Sequence, residues 1–446
     1  MNRKYFGTDG IRGAYGESVL TDEFATRLGR AVSQWIGEEG EALTVAIGRD
    51  TRASGPALLI AFARGFQSGS NIRVIDLGVL PTPAIAVCVR NVGATLGVAI
   101  TASHNPAQDN GIKFFNSLGK KLTDSQELEI ESLVDRIDTS DTVETPQIEV
   151  SSAGESAYLD LLYPTLPEGS LKGFRIVVDT ANGAACNTTP ALLKALGAEL
   201  FVYGNEPNGL NINEGVGSQY PKHLSEKVLE HQAHVGIAHD GDADRLLICD
   251  ESGKVVSGDT LLGLLALQES KHGRLEKNTL VATQQSNIGL DYTLGKAGIS
   301  VVRTSIGDRY VLEEMSKSGY NLGGESSGHV IVSDINTTGD GLAAALKLLA
   351  ILVEERKPLS ELQSRVTLFP QVSTAIEVVE KKPLEDLEDI QSILGELESE
   401  MGEAGRVLLR YSGTENKIRL LVEGEDAGSV ETWYQRLEKV VRDHLT

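Results

Sequence analysis

Three aspartates at alternate positions are the clearest chemical feature of this sequence. Asp240, Asp242 and Asp244 close an apolar segment and are followed at once by Arg245. Carboxylates held this close repel one another unless a cation neutralises them, and Mg2+ and Ca2+ both prefer oxygen ligands. The spacing therefore predicts a site for a hard divalent cation, with a solvated acidic turn as the ordinary alternative.

A calcium-binding EF-hand loop is the first metal site to compare with this run. Asp240, Asp242, Asp244 and Glu251 fall at positions 1, 3, 5 and 12 of that loop. Arg245 stands at position 6, where the loop needs glycine for its sharp turn, and the apolar residues that follow are typical of a strand. The comparison favours a catalytic Mg2+ with open coordination positions.

A serine and a lysine earlier in the chain are candidates for group transfer. Ser103 follows an apolar, strand-like run and stands beside His104, an arrangement that displays a nucleophile on a turn. Lys113 has apolar neighbours, which would lower its pKa toward an acid/base role. The ordinary alternatives are a serine that only forms a turn and a lysine that snorkels to the surface.

A glycine-rich loop in the third quarter of the chain carries several polar groups. The run from Gly323 to His329 places Glu325, Ser327 and an imidazole among three glycines. Glycine lets the backbone approach a ligand closely, so the loop is suited to a hydroxyl-rich ligand such as a sugar. An ordinary glycine and serine turn is the alternative.

A loop between two C-terminal strands has the groups that bind phosphate. Backbone N–H groups and the hydroxyls of Ser412 and Thr414, with Gly413 between them, can cradle an anion. Arg410 and Arg419 can donate charge-assisted hydrogen bonds to it. Strand alternation places Arg419 on the face opposite its apolar neighbours, so its guanidinium need not enter the core. A solvated hairpin is the alternative.

Composition limits the classes of protein and of ligand. The chain has 446 residues and a formal net charge of -22, which argues against the basic surface that nucleic-acid binding requires. No apolar run approaches the ~20 residues of a membrane span, and the first residues lack the apolar core of a signal peptide. With three widely spaced cysteines, these features predict a cytoplasmic protein that binds neither nucleic acid nor membrane.

Short apolar runs that lead into polar loops recur along the chain in three similar groups. Each group has three strand-like runs with helical segments between them, such as Thr21 to Ile36, which has a capping residue and one apolar face. This alternation predicts α/β layers, in which ligands collect beyond the carboxyl ends of strands. The acidic stretch from Glu129 to Glu155 indicates a helix end and a linker.

The C-terminal part differs from these three groups. Two strand-like runs flank a tight loop there, and an amphipathic helix follows from Val430 to Leu445, which predicts a small α+β domain. The sequence thus predicts an α/β fold of three similar domains with mixed sheets and a smaller α+β domain around a central cleft. The predicted domains are residues 1–150 with the loop of Ser103 (the serine loop), 151–255 with the loop of Asp240 to Asp244 (the aspartate loop), 256–368 with the glycine-rich loop and 369–446 with the loop of Ser412 to Thr414 (the phosphate loop).

Four of these motifs together resemble the signature loops of the α-D-phosphohexomutase family, in the family's order and one per predicted domain. They are Thr101-Ala-Ser-His-Asn-Pro, Asp240-Gly-Asp-Ala-Asp-Arg, Gly324-Glu-Ser-Ser-Gly-His and Arg410-Tyr-Ser-Gly-Thr-Glu. The resemblance covers the whole chain, and the opening Arg3-Lys-Tyr-Phe-Gly-Thr-Asp-Gly-Ile-Arg-Gly is similar to that of bacterial members that act on glucosamine phosphate. The chain departs from the family's pattern where Ala243 replaces a frequent glycine and Asn416 a frequent proline, and Gln284-Gln285 before Ser286-Asn is also atypical.

The resemblance implies a role for each motif. It implies that Ser103 carries a phosphate, and that Asp240, Asp242 and Asp244 hold Mg2+ together with an oxygen of that phosphate. It also implies catalytic roles for Arg12, Lys113, Arg245 and His329, of which Lys113 and His329 are the acid/base candidates. Glu325 and Ser327 would bind the sugar. The residues that would bind phosphate are Arg410, Ser412, Gly413, Thr414 and Arg419.

The activity that the resemblance implies is the interconversion of glucosamine 6-phosphate and glucosamine 1-phosphate, which feeds amino-sugar nucleotide and cell-wall precursor synthesis. The reaction would pass through a phosphoserine and a hexosamine bisphosphate, which also serves as activator. Glucose or mannose phosphates as substrates, a Mg2+-dependent sugar phosphatase and a non-catalytic sugar-phosphate-binding protein are the alternatives. The implied partner is a small phosphosugar, and a homodimer is an option that the sequence leaves open.

Overall fold

The computed structural model describes residues 3–7, 9–37, 43–66, 72–137, 147–412 and 416–446. The chain divides into two compact units, Met1–Gln284 with Val302–Ser364, and Gln285–Val301 with Arg365–Thr446. Among the helices in the described ranges, none combines the length and the apolar character that a membrane span needs.

The first sheet is mixed. Its strands are β1 (Ile11–Ala14), β2 (Leu43–Arg49), β3 (Ile72–Val79), β4 (Leu96–Ile100), β5 (Asp109–Asn116) and β6 (Ile148–Val150), in the spatial order β1-β5-β4-β2-β3-β6. β2 is parallel to β3 and β4, whereas β5 runs antiparallel to β1 and β4. The carboxyl end of β4 therefore leads into the serine loop, and β5 returns beside it with Lys113 opposite Ala99.

Helices in this part of the chain pack on the first sheet and on one another. They are α1 (Asp22–Ile36), α2 (Gly55–Arg64), α3 (Thr82–Asn91), α4 (Asp124–Val134) and α5 (Ala153–Leu162). The predicted start of α1 is confirmed, because the Thr21 side chain accepts a hydrogen bond from the Phe24 N–H. Leu28, Phe62 and Ile130, one from each of α1, α2 and α4, are buried in one core with residues of the strands.

The second sheet carries the aspartate loop at the end of a parallel strand. Its strands are β7 (Arg175–Asp179), β8 (Glu199–Tyr203), β9 (Val235–Ala238), β10 (Leu247–Asp250) and β11 (Val255–Val256), and its helices are α6 (Thr188–Ala195) and α7 (Pro221–Glu230). β7 is parallel to β8 and β9, and β10 pairs antiparallel with β9. The three aspartates lie on the connection between β9 and β10.

The third sheet carries the glycine-rich loop. Its strands are β12 (Thr279–Thr283), β13 (Ser300–Thr304), β14 (Leu322–Gly324) and β15 (Val330–Val332), in the order β13-β12-β14-β15. The helices of this part are α8 (Gly258–Lys271), α9 (Gly289–Lys296), α10 (Asp308–Ser318), α11 (Gly341–Glu355) and α12 (Leu359–Leu362). β14 is parallel to β12 and antiparallel to β15, so the loop is the turn of a hairpin.

The fourth sheet is antiparallel. Its strands are β16 (Gln371–Glu377), β17 (Gly405–Tyr411) and β18 (Lys417–Gly424), and its helices are α13 (Glu388–Met401) and α14 (Ala427–Leu445). Ile418, Leu420 and Val422 are fully buried, whereas Arg419 between them is exposed. The predicted strand parity of Arg419 is thus confirmed.

Two segments differ from the sequence-based expectation. Ile148–Val150, predicted as linker, forms the edge strand β6 parallel to β3, where the ion pair of Arg73 with Glu149 joins the two strands at 2.7 Å. A strand this short has too few residues for its period to be recognised. The predicted loop at Gly323 and Gly324 belongs to β14. Glycine is needed at Gly324 because a Cβ there would lie 2.4 Å from the backbone oxygen of His329.

Candidate active site

Ser103 occupies a strained backbone conformation just beyond β4. Its φ is 52°, in the left-handed region that residues other than glycine seldom adopt. The residue is buried, and its hydroxyl donates a hydrogen bond to Asp240 Oδ2 at 2.5 Å and lies 3.4 Å from His104 Nδ1. Burial and the charge of Arg245 lower the pKa of His104 to about 4. The serine oxygen therefore lies between a carboxylate and a neutral imidazole, where it is suited to group transfer.

Buried polar groups that the sequence analysis did not single out anchor the serine loop. The Arg52 side chain is fully buried, and its guanidinium donates to Asp50 Oδ2 at 2.9 Å and to the Ser103 carbonyl at 3.1 Å. Thr101 Oγ1 donates to the same Asp50 oxygen at 2.6 Å and accepts from the Ser103 N–H at 2.9 Å. Burial raises the pKa of Asp50, while Arg52 favours its charged form. Asp50 and Arg52 could have been identified in the sequence by their position directly after the apolar strand β2.

Asp240, Asp242 and Asp244 lie together on their loop. All three are buried, and one carboxylate oxygen of each lies within 4.8 Å of the others. Ala243 between them has a φ of 58°, which lets the loop turn tightly. The Thr82 hydroxyl donates to Asp242 Oδ2 at 2.8 Å and fixes one side of the cluster.

Two oxygens of this cluster lack a hydrogen-bond donor among the described residues, and they show whether a cation would fit. Among the described residues, no hydrogen-bond donor reaches Asp242 Oδ1 or Asp244 Oδ1, although both atoms are buried. A bound cation would satisfy these oxygens and offset the repulsion between the carboxylates. The donor set therefore fits a hard divalent cation such as Mg2+.

The carboxylates of this cluster differ in pKa. Burial and the charges of Asp244 and Asp242 raise the pKa of Asp240 to about 7. Burial acts in the same direction on Asp244, but Lys113 and His329 hold the pKa of that carboxyl well below its usual range. Like charges at close range produce this divergence, because not all of them ionise easily together.

Lys113 lies inside the site as an ion-paired ammonium. Its Nζ is 2.9 Å from Asp9 Oδ2, 2.9 Å from Asp242 Oδ2 and 3.6 Å from Asp244 Oδ2, and 2% of the side chain is exposed. Burial alone would lower the pKa of Lys113, but the three carboxylates raise it well above its ordinary value. The expectation of a lowered pKa is wrong, because it weighed apolar sequence neighbours and not carboxylates from two other loops. The surface-lysine alternative is wrong as well.

Arg12 and Arg245 add positive charge beside the aspartates. Arg12 pairs with Asp9, and this charge raises the pKa of Arg12 against the effect of burial. Arg245 Nε is 3.9 Å from Asp244 Oδ1, and Asp240 and Asp244 likewise raise the pKa of Arg245 against burial. Within the described residues, no acceptor hydrogen-bonds to Nε of either arginine. These donors are available to an anionic ligand.

A second group of ionised side chains adjoins the aspartates, and among them only His329 was predicted from the sequence. Lys121 Nζ is 2.6 Å from Asp9 Oδ1 and also contacts Asp308. His329 lies between two carboxylates, with Nδ1 3.6 Å from Asp244 Oδ2 and Nε2 3.5 Å from Asp308 Oδ2. Burial lowers the pKa of His329, but Asp244 and Asp308 raise it to about 9. No local pattern marks Asp9, Lys121 and Asp308, since they are far apart in the chain.

The glycine-rich loop forms a tight turn between β14 and β15. The Glu325 N–H donates to the His329 carbonyl at 2.9 Å, and the Gly307 N–H donates to Glu325 Oε1 at 3.1 Å. Burial raises the pKa of Glu325, while His329 and Arg245 act in the opposite direction. Ser327 is exposed on the same turn. The carboxylate is thus fixed beside the site, and the hydroxyl faces solvent.

Direct contacts join most of the predicted catalytic and metal-binding residues, all of which lie in the unit Met1–Gln284 with Val302–Ser364. The connected set is Ser103, Lys113, Asp240, Asp242, Asp244, Arg245 and His329, with Arg12 joined through Asp9.

The C-terminal unit carries the predicted phosphate loop. Arg410 on β17 and Arg419 on β18 are register partners and line a cavity of about 230 Å³. Burial and the charge of Arg419 lower the pKa of Arg410. Ser412 is buried, and its carbonyl accepts a hydrogen bond from Lys381 Nζ at 2.7 Å, a cation that the sequence analysis missed. Gly413 and Thr414 lie outside the described residues.

Comparison with known families identifies four consecutive segments of the chain. Models of phosphoglucomutase/phosphomannomutase alpha/beta/alpha domains I, II and III match residues 3–141, 156–253 and 257–369, and that of the C-terminal domain matches residues 374–440. Each matched segment contains one of the four motif loops. The matches confirm the predicted fold of three α/β domains followed by a smaller C-terminal domain.

Similar proteins match along the whole length. The chain is 45% identical over 451 residues to phosphoglucosamine mutase of Geobacter metallireducens, with 99% of each chain covered. It is 44% identical over 452 residues to phosphoglucosamine mutase of Syntrophotalea carbinolica, covering 100% of this chain and 98% of the relative. A crystal structure of a phosphoglucomutase/phosphomannomutase family protein from Burkholderia thailandensis has the same fold, with a TM-score of 0.81, 23% identity and coverage of 98% and 97%.

Proposed function

Because the chain belongs to the phosphoglucomutase/phosphomannomutase family, we propose that it interconverts glucosamine 6-phosphate and glucosamine 1-phosphate as an isomerase-class phosphotransferase. The choice of an aminosugar rests on relatives named phosphoglucosamine mutase, which are 42% to 45% identical over nearly the whole chain. The product would feed amino-sugar nucleotide and cell-wall precursor synthesis.

One contact carries the proposed chemistry. The Ser103 hydroxyl is 2.5 Å from Asp240 Oδ2, at the edge of the buried aspartate cluster. A phosphate on this hydroxyl would adjoin the cation ligands, and Arg12 and Arg245 beside the same carboxylates carry N–H groups that suit an anion. A serine that only formed a turn would need none of these surroundings.

The proposed reaction transfers a phosphoryl group twice. Phosphorylated Ser103 gives its phosphoryl group to the free hydroxyl of the substrate, so the Oγ–P bond breaks and a hexosamine bisphosphate forms. After this intermediate reorients, its other phosphate returns to Ser103 and the isomeric monophosphate leaves. We assign both proton transfers to Lys113 and His329, which their carboxylate neighbours keep protonated: a proton passes from this pair to the leaving oxygen, and the pair regains one from the attacking hydroxyl. The bisphosphate also reactivates any enzyme that has lost its phosphate.

We propose that Asp240, Asp242 and Asp244 would hold one Mg2+ beside the phosphate on Ser103. When bound, Mg2+ supplies charge neutralisation during phosphoryl transfer. The chain itself holds the three carboxylates at close range and places Lys113 beside them, 2.9 Å from Asp242.

Substrate binding is divided between two loops in this proposal. Glu325 and Ser327 contact sugar hydroxyls, and the Glu325 carboxylate favours the ammonium group of an aminosugar. The non-reacting phosphate is held by Arg410, Ser412, Gly413, Thr414 and Arg419. Two guanidinium groups on paired strands can each donate two hydrogen bonds to one anion, so they suit a phosphate better than a neutral group.

The substrate assignment is tested by measuring turnover on three hexose phosphates. Purified protein, primed with glucose 1,6-bisphosphate and Mg2+, is incubated separately with the 6-phosphates of glucosamine, glucose and mannose, and the 1-phosphates are followed by 31P NMR. We expect the highest kcat/KM for the aminosugar. A higher kcat/KM for glucose or mannose phosphate would assign the chain to those substrates, and release of inorganic phosphate as the main product would indicate a phosphatase.

Three further assignments complete the proposal. The four domains span residues 1–150, 151–255, 256–368 and 369–446, the protein acts in the cytoplasm, and a homodimer is one option for its assembly. Limited proteolysis and light scattering test the boundaries and the assembly.

A further inference from the structure

Two side chains from different loops hold the backbone on both sides of His104. Arg52 Nη2 donates to the Ser103 carbonyl at 3.1 Å and to the Asn105 carbonyl at 2.8 Å. Asn213 Nδ2 donates to the same two carbonyls at 2.9 Å and 3.0 Å. Both donor side chains are buried, so the loss of either hydrogen bond is expected to be costly. Each carbonyl therefore has a donor from the first sheet's β2 loop and one from the long loop between β8 and α7.

The loop that carries Asn213 is itself fixed by backbone hydrogen bonds to the segments that follow β7 and β2. The Asn213 N–H donates to the Ala181 carbonyl at 2.8 Å, and its φ of 59° lies in the left-handed region. Nearer the start of the loop, the Gly209 carbonyl accepts a hydrogen bond from the Ala53 N–H at 2.9 Å. Backbone hydrogen bonds of this loop thus hold the residue whose amide group contacts the two carbonyls.

We propose that Asn213 is a positioning residue for phosphoryl transfer at Ser103, a role that rests on the proposed function. A serine with φ of 52° is disfavoured unless its surroundings hold it there. Arg52 and Asn213 each donate hydrogen bonds to both the Ser103 and the Asn105 carbonyls. With both in place, the hydroxyl of Ser103 stays directed at Asp240, 2.5 Å away. Asn213 does not contact the substrate in this proposal and acts through the loop.

The chemistry of the amide makes the proposal testable by conservative substitution. Carbonyl oxygens only accept hydrogen bonds, so the NH2 end of Asn213 must face them. Asn213→Asp keeps the shape and tolerates a left-handed backbone, but it turns a carboxylate oxygen toward two carbonyls. Asn213→Gly removes the side chain at a φ that glycine adopts without strain. The two variants therefore separate loss of the donor from backbone strain.

The first measurement is steady-state kinetics on glucosamine 6-phosphate. We expect kcat of both variants to fall by roughly 10- to 100-fold with KM changed less than about 2-fold, because small misplacement of a reacting atom is costly while the substrate-binding loops are untouched. Asn208→Asp, an exposed position on the same loop whose Oδ1 accepts from the Leu210 N–H, is the matched control and should keep wild-type kinetics. Unchanged kcat in a folded Asn213→Asp variant would overturn the proposal, as would a rise in KM without a fall in kcat.

The second measurement does not depend on the reaction. Hydrogen–deuterium exchange of peptides covering residues 101–106 should be faster in both Asn213 variants than in wild type and in Asn208→Asp. Equal exchange rates would overturn the positioning role even if turnover fell. If wild-type protein shows no mutase turnover, the proposed function fails, and the exchange comparison still decides whether Asn213 holds the serine loop.

Discussion

Two regions of the molecule gather charged side chains but are built in different ways. One region comprises the serine and aspartate loops, and the other surrounds the phosphate loop of the C-terminal unit. Ser103, Lys113 and the three aspartates are almost completely buried and are linked by short contacts. On the C-terminal unit, Arg419 is exposed on a three-stranded sheet, where it lines a cavity together with Arg410. The first region pairs its many buried charges densely, whereas the second keeps the Arg419 side chain accessible to solvent.

This difference matches the two tasks in the proposed reaction. Groups that act where bonds break gain from fixed positions and low solvent access, because electrostatic interactions are stronger there and need no rearrangement. A group that holds a phosphate during binding and release needs only moderate affinity, and a solvated guanidinium provides it. Substitutions in the buried region should therefore reduce turnover strongly, and substitutions in the exposed region should mainly weaken binding.

Loss of the serine hydroxyl should have the largest effect. Ser103→Ala removes the phosphoryl acceptor, so we expect mutase turnover to fall by at least about 1,000-fold. Intact mass spectrometry should find one phosphate per chain in wild type and none in the variant. Ser156→Ala, at an exposed position on α5, is the control and should behave as wild type. Full turnover of Ser103→Ala, or a phosphate at another serine, would show that the buried hydroxyl has no part in transfer.

Removal of the cation should nearly match that effect. We expect chelator to abolish turnover, added Mg2+ to restore it, and Asp242→Asn to lose at least about 100-fold because one anionic ligand is missing. Binding is measured without turnover by thermal unfolding, since Mg2+ at about 100 times its Kd stabilises the folded state by about 2.7 kcal/mol. Asp242→Asn should lose this shift, while Asp160→Asn on the surface of α5 keeps it. An equal shift in both variants would place the cation elsewhere.

Repulsion inside the aspartate cluster should appear as a pH dependence of stability in metal-free protein. The pKa of Asp240 is raised from 3.8 to about 7, so the folded state binds more protons and its free energy of unfolding falls as pH rises through this window. The lowered pKa of Asp244 changes the free energy of unfolding only below pH 3.8, and the raised pKa of His329 changes it only between pH 6.5 and about 9. Asp240→Asn should therefore change the slope of denaturant unfolding in chelator between pH 4 and 6.5, whereas His104, whose pKa is lowered to about 4, contributes a slope of the opposite sign in both proteins. Equal slopes in wild type and variant would contradict the assignment.

The exposed region should respond more weakly and in a different parameter. Arg419→Lys keeps the charge but loses the planar fork, and the loss of a charged hydrogen bond costs about 1.5 to 3 kcal/mol. We expect KM to rise for both phosphosugar isomers with kcat nearly unchanged, and Arg419→Ala to be worse. Arg442→Lys on α14, where the native residue pairs with Glu438, is the control. A fall in kcat as large as in the buried region would remove the distinction between the two regions.

Local sequence patterns were sufficient for the parts of the molecule that neighbouring residues determine. The strand parity of Arg419, the cap at Thr21 and the convergence of Asp240, Asp242 and Asp244 all depend on spacings within one element or loop. Such features follow from periodicity and turn preferences, so they were predicted correctly from the chain alone.

Contacts between distant segments were not predictable in this way. The high pKa of Lys113 depends on Asp9 from the N-terminal segment and on Asp242 from another sheet. The support of Ser103 by Arg52 and Asn213 likewise joins three loops. A buried charge looks the same in sequence as a surface charge, and only the tertiary structure shows which carboxylates and carbonyls surround it.

The smallest effect is expected at Ala243, where the chain departs from the family's frequent glycine. Ala243→Gly relieves the strain of a left-handed alanine, which is worth about 1 to 2 kcal/mol. Against this, the variant loses a buried methyl group, worth about 0.8 kcal/mol, and its unfolded state gains entropy, worth about 0.4 to 1 kcal/mol. These terms nearly cancel, so we expect a stability change below about 1 kcal/mol and unchanged kcat. Ala243→Val should be clearly destabilising, since a β-branched residue is not tolerated at a φ of 58°. Denaturant unfolding and Mg2+-dependent turnover of the two variants decide the point. If glycine reduced turnover by about 10-fold or more, alanine would have a role in aligning the carboxylates beyond filling the turn.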